Sequence, residues 1–369
     1  MAMEGEPRVA VVHDWLTGMR GGEKVLEAIL ELVPSAEIFT LFHFPGTTSK
    51  VIEERTIHHS SLQRIASSVT DYRTLLPLFP FAIEEWNLDR FDLIVSSSHC
   101  VAKGVRGRAA RHISYCHTPM RYIWDRFDDY FPPSRPLLRF MVGSVAPFLR
   151  QWDRNSSSRV DQFVANSEFV RDRIRRYYDR DAVVVHPFVD DSFFEQPLVD
   201  GRDDYHLVVS ALVPYKRVDL VLDAARLSGR RFVIIGGGPL LSAFRAVSLP
   251  NVEVSGFVST EMMRERMRRA RSLVIPGVED FGITALEAMA CGTPVVAFGE
   301  GGVRDTVEEG VSGVFFDRPS PVSLADALEG AETNRWNRAV IRQRAAGFTR
   351  ARFLSGLRRI LEQQLTASS

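Results

Sequence analysis

Two carboxylates eight residues apart carry the most chemical information in this chain. Glu287 is the lone charged residue in the stretch FGITALEAMA, residues 281–290, and Glu279 lies just before that stretch. The good helix formers after Gly282 predict a helix that begins near Phe281 and is closed by the Cys-Gly pair that follows it. A helix that is apolar nearly all round is buried, and an ionised glutamate inside it is costly unless a partner bonds to it.

Hydroxyl groups of a bound ligand would be one such partner for Glu287. We expect Glu279 at the start of the same helix, where free N–H groups and the helix dipole attract anions. Two carboxylates beside an anion-attracting helix start suit a ligand that carries both hydroxyls and phosphates.

Two adjacent cations, Lys216 and Arg217, follow the first strand of the second half. A solvated basic turn is one interpretation, and a cationic clamp for a diphosphate leaving group is the other. Only one of two neighbours easily points inward, and Lys216 is the better candidate. The close D-x-D sequence, residues 179–181, precedes a strand and is typical of a solvated turn. We therefore predict no metal or other cofactor, with the diphosphate charge met by Lys216, by Arg217 and by helix N-termini.

The first half offers a glycine-containing loop and two histidines. Gly21 and Gly22 follow the first strand and would let backbone approach a ligand at a helix start. Their spacing matches neither the dinucleotide fingerprint nor a Walker loop, and a plain strand-to-helix turn is the alternative. His117 and His99 each follow a strand. We expect His117 to face the site because a nearby proline makes the chain leave the sheet there, with a structural role as the alternative.

Apolar runs alternate with amphipathic helices along the whole chain, which predicts parallel sheets covered on both faces. The predicted strands are residues 9–12, 38–41, 93–96, 113–116, 163–165, 183–185, 207–211, 232–235, 252–254, 273–275, 295–298 and 313–316. The predicted helices between them include residues 23–32, 167–178, 218–227 and 260–270. The fold class is therefore α/β, with two doubly wound Rossmann-like domains and a ligand cleft between them.

The alternation is interrupted once, at residues 188–204, which we interpret as the linker. The predicted domains are residues 1–190 and 200–345. A last helix begins at residue 346, and the segment 346–369 either finishes the second domain or packs back on the first.

Composition narrows the class of protein further. The 369 residues are 45% hydrophobic and 25% charged with a net charge of zero, which describes a globular protein and gives no argument for nucleic-acid binding. Three cysteines without metal-ligand spacing favour a reducing compartment, and the N-terminus does not resemble a signal peptide. We therefore expect a cytoplasmic protein.

An apolar stretch at residues 136–150 is flanked by arginines. Between residues 135 and 180 there are ten arginines and five acidic residues. This pattern favours a peripheral contact with an anionic membrane, on the inner face of the cell membrane, and a core helix with solvated arginines is the alternative.

The block from Glu279 to Glu287, followed by AMACGTPVV, resembles the E-x7-E signature of retaining glycosyltransferases. The chain is identified as a member of glycosyltransferase family 4, with the two-domain GT-B fold. The motifs GGEKVLEAI (21–29), VSSSHCVAKG (95–104), YCHTPMRYIWD (115–125), VANSEFV (164–170) and VPYKRVDLVL (213–222) extend the resemblance over nearly the whole chain. It is similar to a bacterial subgroup that includes mannosyltransferases of surface-polysaccharide assembly.

The resemblance implies a role for each candidate residue. It implies that His117, Lys216 and Glu279 are catalytic, and that the donor is bound by Gly21, Gly22, Arg217, Val258, Asp280, Phe281, Gly282, Ile283 and Glu287. In this scheme Glu287 bonds the ribose, Glu279 lies beside the donor sugar, and Lys216 neutralises the diphosphate. One departure is Ala211, where many members carry an arginine that contacts phosphate.

The implied reaction is transfer of a hexose, with mannose from GDP-mannose as the first hypothesis, to a glycan or lipid-linked acceptor. Attack from the same face, with a donor phosphate oxygen taking the proton of the acceptor hydroxyl, would retain the anomeric configuration. A sugar-nucleotide epimerase of the same fold is one alternative. A non-catalytic partner of a working transferase is another, with Ala211 as its hint.

Overall fold

The computed structural model describes residues 7–69 and 72–366. The chain divides into two compact units, one formed by residues 1–186 with 353–369 and the other by residues 187–352. Residues 367–369 of the expected C-terminal segment lie outside the described residues.

The first unit is built on a seven-stranded parallel sheet in the order β3-β2-β1-β4-β5-β6-β7. Its strands are β1 Val9–His13, β2 Glu37–Thr40, β3 Ile57–His59, β4 Leu93–Ser98, β5 Arg111–Cys116, β6 Gln162–Ala165 and β7 Ala182–Val184. The helices before residue 187 are α1 Gly21–Leu32, α2 Lys50–Glu53, α3 Gln63–Ala66, α4 Phe79–Ile83, α5 Arg121–Trp124, α6 Phe127–Tyr130, α7 Pro136–Ser156 and α8 Glu168–Tyr178. The strand order reverses between β1 and β4, and ligands of doubly wound sheets bind at such a point.

The second unit is built on a six-stranded parallel sheet in the order β10-β9-β8-β11-β12-β13. Its strands are β8 His206–Val209, β9 Phe232–Ile235, β10 Val252–Gly256, β11 Ser272–Ile275, β12 Val295–Phe298 and β13 Gly313–Phe316. The helices that follow are α9 Val218–Ser228, α10 Leu241–Ala246, α11 Thr260–Arg269, α12 Ile283–Ala290, α13 Val303–Thr306, α14 Pro321–Thr333, α15 Arg338–Ala345 and α16 Arg350–Thr366. Both sheets confirm the predicted α/β fold class.

Three details differ from the sequence prediction. The edge strand β3 was missed, because its three residues IHH contain no apolar run. The last helix does not begin at residue 346: the chain turns after α15, where the Phe348 N–H donates to the Ala345 carbonyl, and α16 starts at Arg350. Helix α12 begins at Ile283 rather than near Phe281, because Gly282 is in the left-handed conformation at φ 89°.

From Phe353 onward, α16 belongs to the first unit. The Phe353 ring lies edge-on to Tyr115, with 5.6 Å between ring centroids. Gly356 lies so close to Val185 that a Cβ at this position would stand 3.2 Å from a valine methyl. All three cysteines are buried, and none of them takes part in a disulfide. Among residues 7–69 and 72–366, no helix is both long and apolar enough to cross a membrane.

Candidate functional site

In the first unit, the carboxyl ends of β1, β4 and β5 bring polar side chains together. His13 is the last residue of β1 and is in register with Ser97 of β4. His117 follows β5 directly, and its N–H donates to the Ser98 carbonyl at 2.8 Å. The hydroxyl of Ser97 lies 3.1 Å from Nδ1 of His13 and 2.8 Å from Nε2 of His117.

Gly22 is the second residue of α1 and lies against both of these imidazoles. A Cβ built on Gly22 would stand 3.9 Å from ring atoms of His117 and of His13. The structure therefore brings Gly22 and its neighbour Gly21, at the start of a helix, next to His117. Burial and the nearby rings of His99 and His13 lower the pKa of His117 to about 3, so its imidazole is neutral at pH 7.

Asp14 ties the loop after β4 to the end of β1. Its buried carboxylate accepts four backbone N–H groups, from residues 99–102, at 2.6 to 3.0 Å. It also lies 3.0 Å from Nδ1 of His99. Burial alone would raise the pKa of Asp14, but the charge and hydrogen bonds of His99 outweigh it and hold that pKa well below its usual range. Nδ1 of His99 is thus turned toward Asp14, whose backbone contacts hold this loop at the end of β1.

Glu23 completes the polar cluster of the first unit. It is buried at the third position of α1, where Oε2 accepts the Arg20 N–H at 2.9 Å. Oε1 lies 3.9 Å from Nε2 of His13. Burial would raise the pKa of Glu23, but the neighbouring His13 and the backbone hydrogen bond lower it overall. We did not anticipate His13, Asp14, Glu23 or Ser97 as site residues, because their meeting depends on strand register and on the start of α1.

In the second unit, Lys216 and Glu279 form an ion pair between Nζ and Oε2. Both side chains are mostly buried, with 17% and 22% of their surface exposed. The segments that carry Lys216 and Glu279 approach each other closely at Gly277. A Cβ at this position would lie 2.8 Å from the Tyr215 carbonyl oxygen and 2.9 Å from the Lys216 backbone.

The sequence predicted Glu279 at the start of α12, but Glu279 lies just outside this helix. It stands four residues before Ile283, in a short parallel bridge with Gly301. Its carbonyl accepts the Gly302 N–H at 2.8 Å. The bridge to Gly301 therefore fixes the segment from which Glu279 pairs with Lys216, and a Cβ built on Gly282 would lie 3.8 Å from the Cβ of Glu279.

The other predicted donor-binding residues of this region, residues 280–283 and Glu287, lie around the start of α12 or within it. Phe281 is buried in the core against Phe348, so its backbone rather than its ring is available to a ligand. Asp280 and Ile283 are half-buried, with Gly282 between them. Glu287 lies one turn into α12 and is buried, with 9% of its surface exposed, as the apolar helix pattern predicted.

Arg217 is placed differently from Lys216. It adopts the left-handed backbone conformation at φ 54°, and its guanidinium pairs with Asp219 at 3.2 Å. Its side chain is 39% exposed. Ala211 is exposed and supplies no charge. Of the two adjacent cations, Lys216 alone is directed at Glu279.

Val258 is half-buried just after β10, and its neighbour Phe257 is the residue that we missed here. The Phe257 ring is 86% exposed. It lies directly on Gly237, where a Cβ would come within 2.1 Å of the ring. An exposed aromatic ring held on a glycine turn at the end of a strand offers a flat apolar face.

Within the described residues, no group of three or more His, Cys, Asp or Glu side chains is arranged to hold a metal ion. The candidate residues form two clusters, one in each unit. The first combines the imidazoles of His13 and His117 with the helix start at Gly21, and the second combines the Lys216–Glu279 pair with the start of α12.

Two family profiles match the chain. The one described as Glycosyltransferase Family 4 covers residues 7–193, more than half of the 369 residues. The one described as Glycosyl transferases group 1 covers residues 189–348.

Curated relatives are similar over parts of the chain. An uncharacterised glycosyltransferase of Methanocaldococcus jannaschii is 25% identical over 58% of this chain and 63% of its own length. A D-inositol 3-phosphate glycosyltransferase of Geodermatophilus obscurus is 33% identical over 48% of this chain and 46% of its own. A GDP-mannose-dependent alpha-(1-6)-phosphatidylinositol monomannoside mannosyltransferase of Mycobacterium tuberculosis is 33% identical over 32% of this chain and 36% of its own. The chain thus spans less than two thirds of the length of these relatives.

Solved structures match over nearly the whole chain. The lipopolysaccharide outer core galactosyltransferase WaaB superposes with a TM-score of 0.70 at 15% identity, covering 97% of this chain and 99% of WaaB. HepE of Anabaena in complex with UDP-glucose superposes with a TM-score of 0.68 at 16% identity, covering 96% of this chain and 99% of HepE. At these identities the likeness shows the fold, and it confirms GT-B.

Proposed function

The chain belongs to glycosyltransferase family 4, and on that premise we propose that it transfers a hexose from a nucleotide sugar with retention of configuration. The observation that carries the proposal is the Lys216–Glu279 ion pair, together with the buried Glu287 in the helix that follows Glu279. A lysine suits the diphosphate leaving group, and a carboxylate suits the sugar hydroxyls.

We assign the donor roles residue by residue. Lys216 neutralises the diphosphate as the glycosidic bond breaks, after releasing Glu279 to the sugar. Glu287 accepts hydrogen bonds from the ribose hydroxyls. In the first unit, Gly21 and Gly22 offer helix N–H groups to phosphate, and His117 bonds a sugar hydroxyl. Arg217 joins them only if it leaves Asp219, which its 39% exposure permits at little cost.

The donor is GDP-mannose in our first hypothesis. The mycobacterial relative named above is GDP-mannose-dependent by its name, whereas HepE was solved with UDP-glucose. The exposed Phe257 ring accepts either base, since every base has a flat face for stacking. No metal ligand is needed in this scheme, because Lys216 and helix N-termini meet the diphosphate charge.

A panel of nucleotide sugars tests the proposal. Calorimetric binding and slow hydrolysis of GDP-mannose, UDP-glucose and UDP-galactose would identify the donor. Lys216→Ala and Glu287→Ala should each suppress the signal, while the matched controls Lys50→Ala and Glu329→Ala, at exposed positions, should keep it. Wild-type behaviour in both site variants would show that the site is misassigned. Turnover lost on adding a chelator would contradict the metal-free scheme.

Product analysis separates transfer from the alternatives. An epimerase would convert one nucleotide sugar into another without an acceptor. A non-catalytic partner would bind the donor and turn over no acceptor extract. The Lys216–Glu279 pair favours transfer, because it prepares a site for a departing diphosphate.

For the acceptor, we propose a glycan or a lipid-linked sugar of surface-polysaccharide assembly, reached from the cytoplasmic face of an anionic membrane. Helix α7 supports this proposal because its outward face is apolar. The exposed large side chains on it are Leu137, Phe140, Met141 and Phe148, and Phe81 of α4 stacks on Phe148 with 6.1 Å between centroids. A helix with apolar residues on both its buried and its exposed faces suits the membrane interface.

Vesicle flotation tests the membrane contact. The wild type should float with vesicles that contain anionic phospholipid and stay behind with neutral ones, because the α7 region carries an excess of arginine. Leu137→Ser with Phe140→Ser should abolish flotation, while Leu227→Ser, at an exposed leucine of the second unit, should leave it unchanged. Flotation independent of lipid charge or of these two side chains would remove the proposal.

A further inference from the structure

Four side chains of the first unit form a continuous polar chain, which we call the relay: Glu23, His13, Ser97 and His117. Glu23 Oε1 lies 3.9 Å from Nε2 of His13, the far nitrogen of His13 lies 3.1 Å from the Ser97 hydroxyl, and that hydroxyl lies 2.8 Å from Nε2 of His117. Glu23, His13 and Ser97 are each at most 6% exposed. Water therefore has little access to the links of the relay.

The proton count makes the relay directional. A hydroxyl carries one proton, so Ser97 can donate to only one of the two histidines, and once it does so it accepts from the other. If Ser97 donates to His13, then Nε2 of His117 carries a proton and donates to Ser97. If Ser97 donates to His117, the assignments reverse. The tautomers of His13 and His117 are therefore coupled through one oxygen.

Glu23 favours one of these two tautomeric states. Nε2 of His13 is buried and has no hydrogen-bond partner. Oε1 of Glu23 lies 3.9 Å from it, and the Arg20 N–H holds this carboxylate in place by donating to Oε2 at 2.9 Å. A carboxylate attracts an N–H and repels a lone pair, so in the neutral form of the His13 imidazole the proton belongs on Nε2. Nδ1 of His13 is then the acceptor for Ser97.

We infer that Glu23, acting through His13 and Ser97, fixes His117 as the tautomer with its proton on Nε2 and a lone pair on Nδ1. The hydrogen bonds of His117 within the described residues use Nε2 and the backbone. Nδ1 is thus held ready to accept a hydrogen bond from a ligand hydroxyl. Glu23, His13 and Ser97 are positioning residues.

This inference rests on the proposed function for one point, namely that the ligand hydroxyl belongs to a sugar. The tautomer itself is a property of the free protein. It can be measured without any donor, acceptor or turnover.

Nitrogen-15 NMR of the whole chain, labelled at histidine, measures the tautomer at pH 7. His117→Asn identifies the His117 signals by their loss. We expect the wild-type His117 to show a protonated Nε2 and an unprotonated Nδ1. The opposite pattern would overturn the inference.

Glu23→Gln should invert the relay. The Arg20 N–H still requires an oxygen from residue 23, so the amide NH₂ group of the glutamine turns toward His13. Nε2 of His13 must then present a lone pair, its proton moves to Nδ1, and Ser97 donates to His117 instead. We expect the proton of His117 to appear on Nδ1. An unchanged His117 in a folded Glu23→Gln chain would refute the coupling.

Two controls keep the test specific. Glu27→Gln changes the same residue type on the same helix and should leave His117 as in the wild type. Ser97→Ala removes the shared oxygen, so Glu23→Gln in that background should no longer affect His117, and Ser97→Thr should restore the effect. Inversion in Glu23→Gln, together with a wild-type chain that turns over no nucleotide sugar, would support the relay and sink the proposed function; wild-type turnover with no inversion in Glu23→Gln would do the reverse.

Discussion

The ammonium group of Lys216 is paired with the carboxylate of Glu279, sixty-three residues further along the chain. When a donor binds, Lys216 would exchange Glu279 for phosphate oxygens, and Glu279 would exchange Lys216 for sugar hydroxyls. In the free protein, the Glu279 carboxylate therefore competes with the diphosphate for Lys216.

Glu279→Gln should strengthen binding of a bare nucleoside diphosphate while it suppresses sugar transfer. Removing the competing charge frees Lys216, and for a pair that is about one-fifth exposed the gain is roughly two- to five-fold in affinity. Titration calorimetry with GDP and UDP measures it. Lys216→Ala should weaken the same binding by more than ten-fold, roughly the loss of a charge-assisted hydrogen bond. Equal affinity in Glu279→Gln and wild type would show that the pair does not compete with ligand.

Gly277→Ala should damage the second unit and its donor site together. The new Cβ would meet the Tyr215 carbonyl oxygen at 2.8 Å and the Lys216 backbone at 2.9 Å, so one backbone segment must move. We expect a loss of about 1–3 kcal/mol in unfolding free energy, typical of overpacking. Thermal melting and GDP binding measure the two effects. Gly330→Ala is the control, because open space surrounds that position in α14 and the new methyl should be neutral or stabilising.

Phe257→Ala should weaken nucleotide binding without affecting stability. The ring is 86% exposed, so its removal from the free protein loses little packing. Stacking on a base contributes roughly 1–3 kcal/mol, which is at least a five-fold loss of affinity. Calorimetry with GDP and UDP would record it, and Phe257→Trp should restore binding. Wild-type affinity in Phe257→Ala would place the base elsewhere.

The first unit should lose stability as the pH falls below 7, in part through His112. Burial lowers the pKa of His112 to about 4. The unfolded chain, with an ordinary histidine pKa near ~6.5, therefore binds the proton first, and unfolding becomes easier as the pH falls from about 7 toward 4. The expected cost is about 2 kcal/mol between pH 7 and pH 5.

His112→Gln should remove that part of the acid sensitivity. Denaturant melts followed by tryptophan fluorescence report mainly on the first unit, because Trp336 is the one tryptophan after residue 152. The free-energy change from pH 7 to pH 5 should be smaller in the variant by about 2 kcal/mol. Parallel pH profiles of wild type and variant would contradict the assignment.

Lys103→Met should destabilise the first unit by about 3–5 kcal/mol, because it leaves a buried carboxylate without its cation. Lys103 is 1% exposed and lies 2.8 Å from Oδ1 of Asp153, whose other oxygen accepts from Trp124 and Tyr178. Lys50→Met, at an exposed position, is the matched control. Chemical denaturation measures both, and GDP binding by the second unit should survive. A loss of less than 1 kcal/mol would mean that the pair contributes little.

The alternation of apolar runs and amphipathic helices predicted the fold class of both units and nearly all of their strands. It succeeded because a strand buried on both faces must be apolar along its length. The short edge strand Ile57–His59 escaped because its two histidines break that pattern. The E-x7-E block and the VPYKR motif likewise identified the family, since these residues lie close together in sequence.

Tertiary structure decided which of the predicted residues meet. The pairing of Lys216 with Glu279 requires two loops to touch across Gly277, and the contact of His13, Ser97 and His117 requires the register of three parallel strands. Local sequence carries the propensity of a segment, but the neighbours of a side chain depend on strand order and backbone approach. The sequence by itself therefore determined the family and the helix that buries Glu287, whereas only the folded chain decided the partner of each charge and the direction of each proton.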